Sequence, residues 1–358
     1  YRFEGNANDD TRNYDGTASN VTYEYGLNFT PDLVWIKNRT STANNYLTCS
    51  SFSLAGNSPN VFLKLQPSTT NAFDTTEVDG VSSFDTGGFT VVNNQSQTNL
   101  NGSDYVAWCL KANGGTTSSN TDGSITSTVQ ANQDAGFSIV TYTGTFAAAT
   151  VGHGLSTAPE MIIVKNTGST TNWWVWHTDL GGGTKYLKLN GSDAVGTVSS
   201  IWNSTVPTST VFSVGNDSGS NGSGNEIIAY CFNSVDGFSK FGSYTGISSG
   251  DIIVETGFEP RFIMIKCTSH ASTNWEILDS RRSPGMLSNG SAVRLRANDN
   301  SADAGFNNTP ISFLSNGFRI NSSVTANSYV DYDANGRTYM YMAFAADPDT
   351  EAPTVAKS

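Results

Sequence analysis

The sequence predicts an all-β protein of three tandem antiparallel β-sandwich repeats, each of about 110–120 residues. Three observations carry that expectation. One phrase is written three times: "GLNFTPDLVWIKNRTSTANNYL" from Gly26, "GLSTAPEMIIVKNTGSTTNWWVW" from Gly154 and "GFEPRFIMIKCTSHASTNWEIL" from Gly257. The apolar runs are short, rich in Val, Ile, Phe, Tyr and Trp, and bounded by Gly, Asn, Asp, Ser or Pro, which is the pattern of strands and turns. The composition is 37% hydrophobic, only 14% charged and holds 35 glycines, as in turn-rich β proteins.

Each repeat lays down its elements in the same order. The second and third open with "GFSIVTYTG" from Gly136 and "GFSKFGSYTG" from Gly237, and the first begins part-way into that strand with "YRFEG". A proline (Pro31, Pro159, Pro260) then enters an apolar strand, "DLVWIKN", "EMIIVKN" or "RFIMIKC". At a strand entry the missing N–H costs nothing. Because these runs are continuously apolar, they are expected to be central strands covered on both faces. Asparagine-preceded aromatics follow, Tyr46, Trp173 and Trp275, and then "FLKLQ", "YLKLN" and "AVRLRAN". The first two alternate and should be half exposed. Next come "GGFTVV", "TVFSVG" and "NGFRIN", and last "YVAWCL", "IIAYCF" and "MYMAFA". Aligning Ala107, Ala229 and Ala343 of the last strand gives periods of 122 (107 to 229) and 114 (229 to 343). No stretch holds a capped 3.6-residue apolar period, so helices should be rare.

The boundaries follow: repeat one over 1–112, repeat two over 137–236, repeat three over 237–346 and a polar tail over 347–358. Segment 113–136 is a Gly/Ser/Thr-rich linker or, through "SITSTV", an added edge strand. The formal charge of −12 argues against a nucleic-acid partner, which needs a basic face. No apolar run is long enough to insert in a membrane as a helix. The chain starts at Tyr1 without a visible leader, which reads as a processed start or a cut from a longer chain. Cys49, Cys109, Cys231 and Cys267 have no zinc spacing, and the two in "AWCL" and "AYCF" read as small buried strand residues.

The order of motifs from "NTDGSITSTVQANQDAGFSIVTYTG" through "NWWVWH" and "IIAYCF" to "NWEILDSRR" resembles the tandem repeats of tail-fibre and related virion-surface proteins of tailed bacteriophages, marine ones especially. The likeness covers repeats two and three throughout and repeat one more loosely. It implies an extracellular virion appendage, commonly a homotrimer, that contacts other virion proteins and a host-surface glycan or protein. It carries over no catalytic residue.

The residues themselves offer few chemical constellations. His177 and Asp179 in "WHTD" lack a G-x-S-x-G nucleophile turn, and a strand-end histidine is the simpler reading. Asp179, Glu226, Glu276 and Asp279 supply carboxylates for glycosidic cleavage, but their spacing names no pair. A non-enzymatic host-recognising tail fibre without a cofactor is the expectation; the alternatives are a structural capsid or tail decoration or an extracellular filament subunit, and, after these, a glycan-degrading tailspike. "DYDANG" offers Asp331, Asp333 and Asn335 as half of a calcium loop. Its closing glutamate is replaced by Met342, and a hairpin turn accounts for the same residues. Tyr46, Trp174, Trp176 and Trp275 are the aromatic candidates for sugar contact. In one strand Trp174 and Trp176 must face oppositely to Trp173, so one face fills the core.

Overall fold

The computed structural model of the chain describes residues 27, 29–51, 62–73, 80–92, 94–283, 292–305, 310–321, 332 and 334–345. The fold is nearly all β. The first unit holds β1 (Leu33–Asn38), β2 (Tyr46–Cys49), β3 (Gly80–Asp85), β4 (Gly88–Val92) and β5 (Tyr105–Leu110). The second begins with β6 (Ser118–Asn120), β7 (Ser127–Asn132), β8 (Phe137–Thr143), β9 (Ala149–Gly152), β10 (Met161–Asn166) and β11 (Trp174–His177). It continues with β12 (Lys185–Lys188), β13 (Gly196–Thr197), β14 (Val211–Val214), the one-turn helix α1 (Ser218–Asn221) and β15 (Glu226–Phe232). The third holds β16 (Ser239–Thr245), β17 (Ile252–Glu255), β18 (Phe262–Cys267), β19 (Trp275–Asp279) and β20 (Val293–Arg296), then β21 (Ala304–Gly305), β22 (Ile311–Leu314), β23 (Gly317–Ile320) and β24 (Thr338–Phe344).

The strand pairing repeats three times. The central strand of each main sheet lies between the strand that follows it and the last strand of the unit: β2-β1-β5, β11-β10-β15 and β19-β18-β24. All these pairs are antiparallel. Smaller sheets, β3-β4, β14-β9 and β17-β23-β22, cover one face of each main sheet. The segment expected as linker or edge strand supplies both β6 and β7, which extend the second sheet beyond β8. The expected opening strand of the first repeat and the polar tail lie outside the described residues.

The register revises one detail of the repeat. Leu33 pairs with Leu110, Met161 with Phe232 and Phe262 with Phe344. Those pairs make Cys109, Cys231 and Ala343 the equivalent residues, two positions away from the alignment of Ala343 with Ala229. A shift of two keeps every side chain on its face, so the apolar pattern alone does not register it.

Both faces of the central strands are buried, for a reason that a single sandwich does not supply. In β10, Ile162 and Val164 face the second unit's own core with Phe212 and Val214, whereas Met161 and Ile163 face a core shared by all three units. In β1, Val34 and Ile36 likewise face a private core, and Leu33 the shared one. A run of ring contacts links the units across the shared core: Trp35 to Trp108 at 6.0 Å, Trp108 to Phe262 at 5.8 Å, Phe262 to Phe344 at 6.1 Å, and Phe344 to Phe232 at 6.4 Å. Each such side chain contributes about 1.5–3 kcal/mol by leaving water.

The three units close on one another by the same two backbone bonds, made three times. Between units one and two, Thr171 N donates to Thr70 O (3.0 Å) and Phe73 N to Thr167 O (2.9 Å). Between two and three, Thr273 N donates to Ser192 O (3.3 Å) and Val195 N to Thr268 O (2.8 Å). Between three and one, Ala43 N donates to Asn300 O (3.0 Å) and Asp303 N to Arg39 O (2.9 Å). In each case the loop after a central strand docks on the loop after the outer strand of the preceding unit, and the third pair returns to the first unit. The chain is a ring with internal pseudo-threefold symmetry.

Candidate functional site

Lysines anchor the seams of this ring. Lys37, Lys165 and Lys266 occupy the same position at the end of the three central strands, and all are fully buried. Lys37 Nζ donates to Ala43 O, and Lys266 Nζ to Cys267 O and Thr273 Oγ1 (2.8 and 2.6 Å). Lys165 Nζ donates to Thr171 O (2.8 Å) and, across the seam, to Thr70 O (3.0 Å). Burial lowers Lys165 to about 7 and Lys37 to about 8, with Asp299 and Asp303 opposing the shift of Lys37.

Most of the aromatics expected as site residues are structural, and so are two of the four carboxylates whose spacing named no pair. Trp275 fills the shared core and donates from Nε1 to Lys188 O of the second unit (2.8 Å). Tyr46 is buried in the first unit's private core, where its hydroxyl accepts from Val81 N (3.0 Å). Trp176 is buried in the second unit's private core, while Trp173 points to the shared one. These three candidates, Tyr46, Trp176 and Trp275, therefore present no face to a ligand. Glu276 is buried between Arg296 (3.0 Å) and Arg294 (3.6 Å), and Asp279 is paired with Arg282 (2.6 Å). His177 is buried, and its Nδ1 accepts from Asp179 N (3.1 Å) rather than facing the Asp179 carboxylate. Burial holds the imidazole down, to about 4, against Asp179 and Glu160. All four cysteines are free and buried.

Trp174 alone of the four aromatic candidates is part-exposed, and it belongs to a built surface. It packs edge-on against Tyr186 with centroids 5.0 Å apart, and its Nε1 donates to Asp217 Oδ1 (2.7 Å). The same carboxylate oxygen caps α1 by accepting from Gly219 N and Ser220 N (2.8 and 3.0 Å). Asn221, the last residue of α1 and fully buried, then pins the loop after β8. Its Oδ1 accepts from Thr145 N (2.8 Å), its Nδ2 donates to Ala147 O (2.7 Å), and its carbonyl accepts from Phe146 N (2.8 Å). Gly144 is required at the loop's base, where a Cβ would lie 2.2 Å from Gly222 O.

Phe146 is the residue that sequence reasoning missed. Its φ is 58°, a left-handed conformation costly for a bulky side chain, and it is 49% exposed. Asn221 holds the strain in place while Phe146 projects to solvent beside exposed Ala147 and Ala148. In the third unit Ile247 follows the same Tyr-Thr-Gly and is also exposed, at 44%. The signal available in the sequence was a lone aromatic inside "TGTFAAAT", a stretch that otherwise reads as a turn.

Of the calcium candidates, Asp331 and Asp333 lie outside the described residues, and Asn335 sits in an exposed turn. Among the described residues no group of three or more His, Cys, Asp or Glu side chains could hold a metal ion, and no helix is long and apolar enough to cross a membrane. Two concavities of about 310 and 390 Å³ flank Asn113–Gly115, and neither contains a candidate aromatic.

Comparison with curated proteins and with solved structures gives no match. One protein family does match, over residues 7–348. That span includes all three units and both seam linkers, so the chain belongs to the family described as Domain of unknown function (DUF7483).

Proposed function

We propose that the chain is a non-enzymatic virion-surface protein of a tailed bacteriophage, most simply a tail fibre component that recognises a host-surface glycan or protein. The observation that carries this reading is the end of the second unit, where a strained, exposed Phe146 and a part-exposed Trp174 are fixed through one short helix by Asn221 and Asp217. Strain of this kind persists only where surrounding bonds over-determine it, and it concentrates at recognition sites. Aromatic anchors held rigid lose little entropy on binding. The non-enzymatic part draws on two of the four carboxylates considered for cleavage: Glu276 and Asp279 are buried and committed to ion pairs with Arg296 and Arg282. The resemblance of the repeats to virion appendages supplies the biological setting.

In this reading single-site binding is weak and self-association into a homotrimer adds avidity. The inward faces of the sheets are already used within one chain, so the trimer contact lies outside the shared core. A structural role, as a decoration of capsid or tail, is the second reading, favoured by the internal pseudo-threefold, which suits one chain to a threefold position. Light scattering on the purified chain, with a bacterial-surface pull-down on the same sample, separates them. A trimer that binds cells supports the fibre; a 38.1 kDa monomer that ignores cells supports the decoration protein.

A further inference from the structure

The three seams are alike in backbone geometry but not in how they are secured. Units one and two are joined by the chain through 112–118, and units two and three through 233–238, so those two seams are held at high effective concentration. Among the described residues no chain segment joins units three and one. Their seam is also the one where charge is concentrated. Asp303 of the third unit takes Arg39 of the first at Oδ2 (2.8 Å) and Arg282 of its own unit at Oδ1 (2.8 Å). Arg282 continues to Asp279 Oδ2 (2.6 Å), which also accepts from Trp108 Nε1 of the first unit (3.4 Å), and its guanidinium lies 5.7 Å from the centre of the Trp108 ring. Asn45 of the first unit adds three donations, to the carbonyls of Arg296, Ala297 and Asp299 (3.2, 3.2 and 3.0 Å). Across the other two seams the described residues make no ion pair: Lys165 donates to Thr70 O, Trp275 Nε1 to Lys188 O, and the Asp32 carboxylate accepts from the neutral Gln130 amide.

We propose that the Arg39–Asp303–Arg282 network is a clasp: it holds shut the one seam without a covalent tether, and its release opens the ring there, uncovering the shared apolar core while each unit keeps its own sandwich. The argument is one of physical asymmetry. Apolar packing and paired backbone bonds serve all three seams, so the untethered seam needs an additional attraction to match the other two. A desolvated charge network provides it in a form that one lost partner undoes, because the remaining charges are then buried without compensation. The side chains of Arg282 and Asp303 are only 2% and 14% exposed, so their pairing is little screened by salt, while Arg39, 32% exposed, closes the network at its rim. The uncovered surface would include Trp35, Trp108 and Phe262, a large apolar area of the sort that drives association with other surfaces.

The seams carry matched reporters for a test on the intact chain: the amides of Ala43, Thr171 and Thr273, each donating across its seam at the equivalent place. Residue-resolved hydrogen exchange is measured for the native chain and for Asp303→Asn, with Arg39→Met as a milder variant should the first fold poorly. The clasp requires Ala43 to exchange at least about tenfold faster in either variant, while Thr171, Thr273 and the interior strand amides of β10 and β18 keep their native rates. Equal acceleration at all three reporters would mean that the network stabilises the whole fold and is no clasp. Unchanged exchange at Ala43 in both variants would overturn the proposal outright.

Discussion

Lys165 of the second unit reaches across a seam to the carbonyl of Thr70 in the first, 3.0 Å away, from a site that water does not reach. Burial has lowered its pKa from 10.5 to about 7. Between those values the unfolded chain holds a proton that the folded chain has released, so stability rises with pH through that window. Lys37, lowered to about 8, acts in the same direction. Above about pH 9 the buried thiols of Cys109 and Cys231 and the phenols of Tyr142 and Tyr230, all raised by burial, ionise only on unfolding and reverse the trend. Calorimetric unfolding should therefore show stability rising from pH 7 to a maximum between about pH 9 and 10, and Lys165→Met should flatten the rise between pH 7 and 9.

On the acid side, His177 is lowered to about 4 by burial, and His153 is lowered for the same reason. The unfolded chain takes up protons near pH 6.5 and the folded chain only well below it, so stability falls as pH drops from about 6.5 to 4. His177→Gln should reduce that slope. An unchanged slope would contradict the assignment of His177 as a buried neutral imidazole.

Asp32 predicts the largest single loss. It is fully buried just before β1, and its carboxylate accepts from Ser50 Oγ (2.6 Å), Gln130 Nε2 and the amides of Ala112, Gly114 and Gly115 (2.7, 2.8 and 2.7 Å). It thereby fixes the linker that leaves the first unit and touches the second. Asp32→Ala removes the acceptor of five hydrogen bonds and leaves the buried Ala112 amide unpaired, and denaturant unfolding should report a loss of at least about 3 kcal/mol.

A matched pair of tryptophans tests the hydrogen-bond reading of the seams. Trp275 Nε1 donates to Lys188 O, whereas the indole N–H of Trp173, at the equivalent position in the second unit, is buried without a hydrogen-bond partner. Trp275→Phe should cost about 0.5–1.5 kcal/mol more than Trp173→Phe, measured by denaturant unfolding, since only the first loses a hydrogen bond; Lys188 O keeps its bond from Gly191 N (3.2 Å) in either variant.

Much of the fold was legible in the sequence because the repeat could be read against itself. The proline-led strands before Lys37, Lys165 and Lys266 announced central strands, and their unbroken apolar character announced cover on both faces. What covers the second face was not legible. The seam partners Thr70, Ser192 and Asn300 sit in polar loops with no periodicity, and a lysine closing an apolar strand is ordinarily a solvated end. The Trp173/Trp174/Trp176 alternation correctly separated two faces, but burial decided that Trp174 alone reaches solvent. Phe146 could not be picked out because its significance lies in a positive φ and in a bond network to Asn221, 75 residues away in sequence.

Strain at Phe146 makes stability and recognition separable. Phe146→Gly relieves a left-handed backbone worth about 1–2 kcal/mol and gives up only a half-exposed side chain, so the melting temperature should stay level or rise.

Co-sedimentation of the purified chain with intact host bacteria, native against Phe146→Gly, bears most directly on the proposed recognition surface. Recognition through the end of the second unit requires native binding to fall at least about tenfold in the variant while its melting temperature holds. Equal binding by the two proteins, or no binding by the native chain, would contradict it.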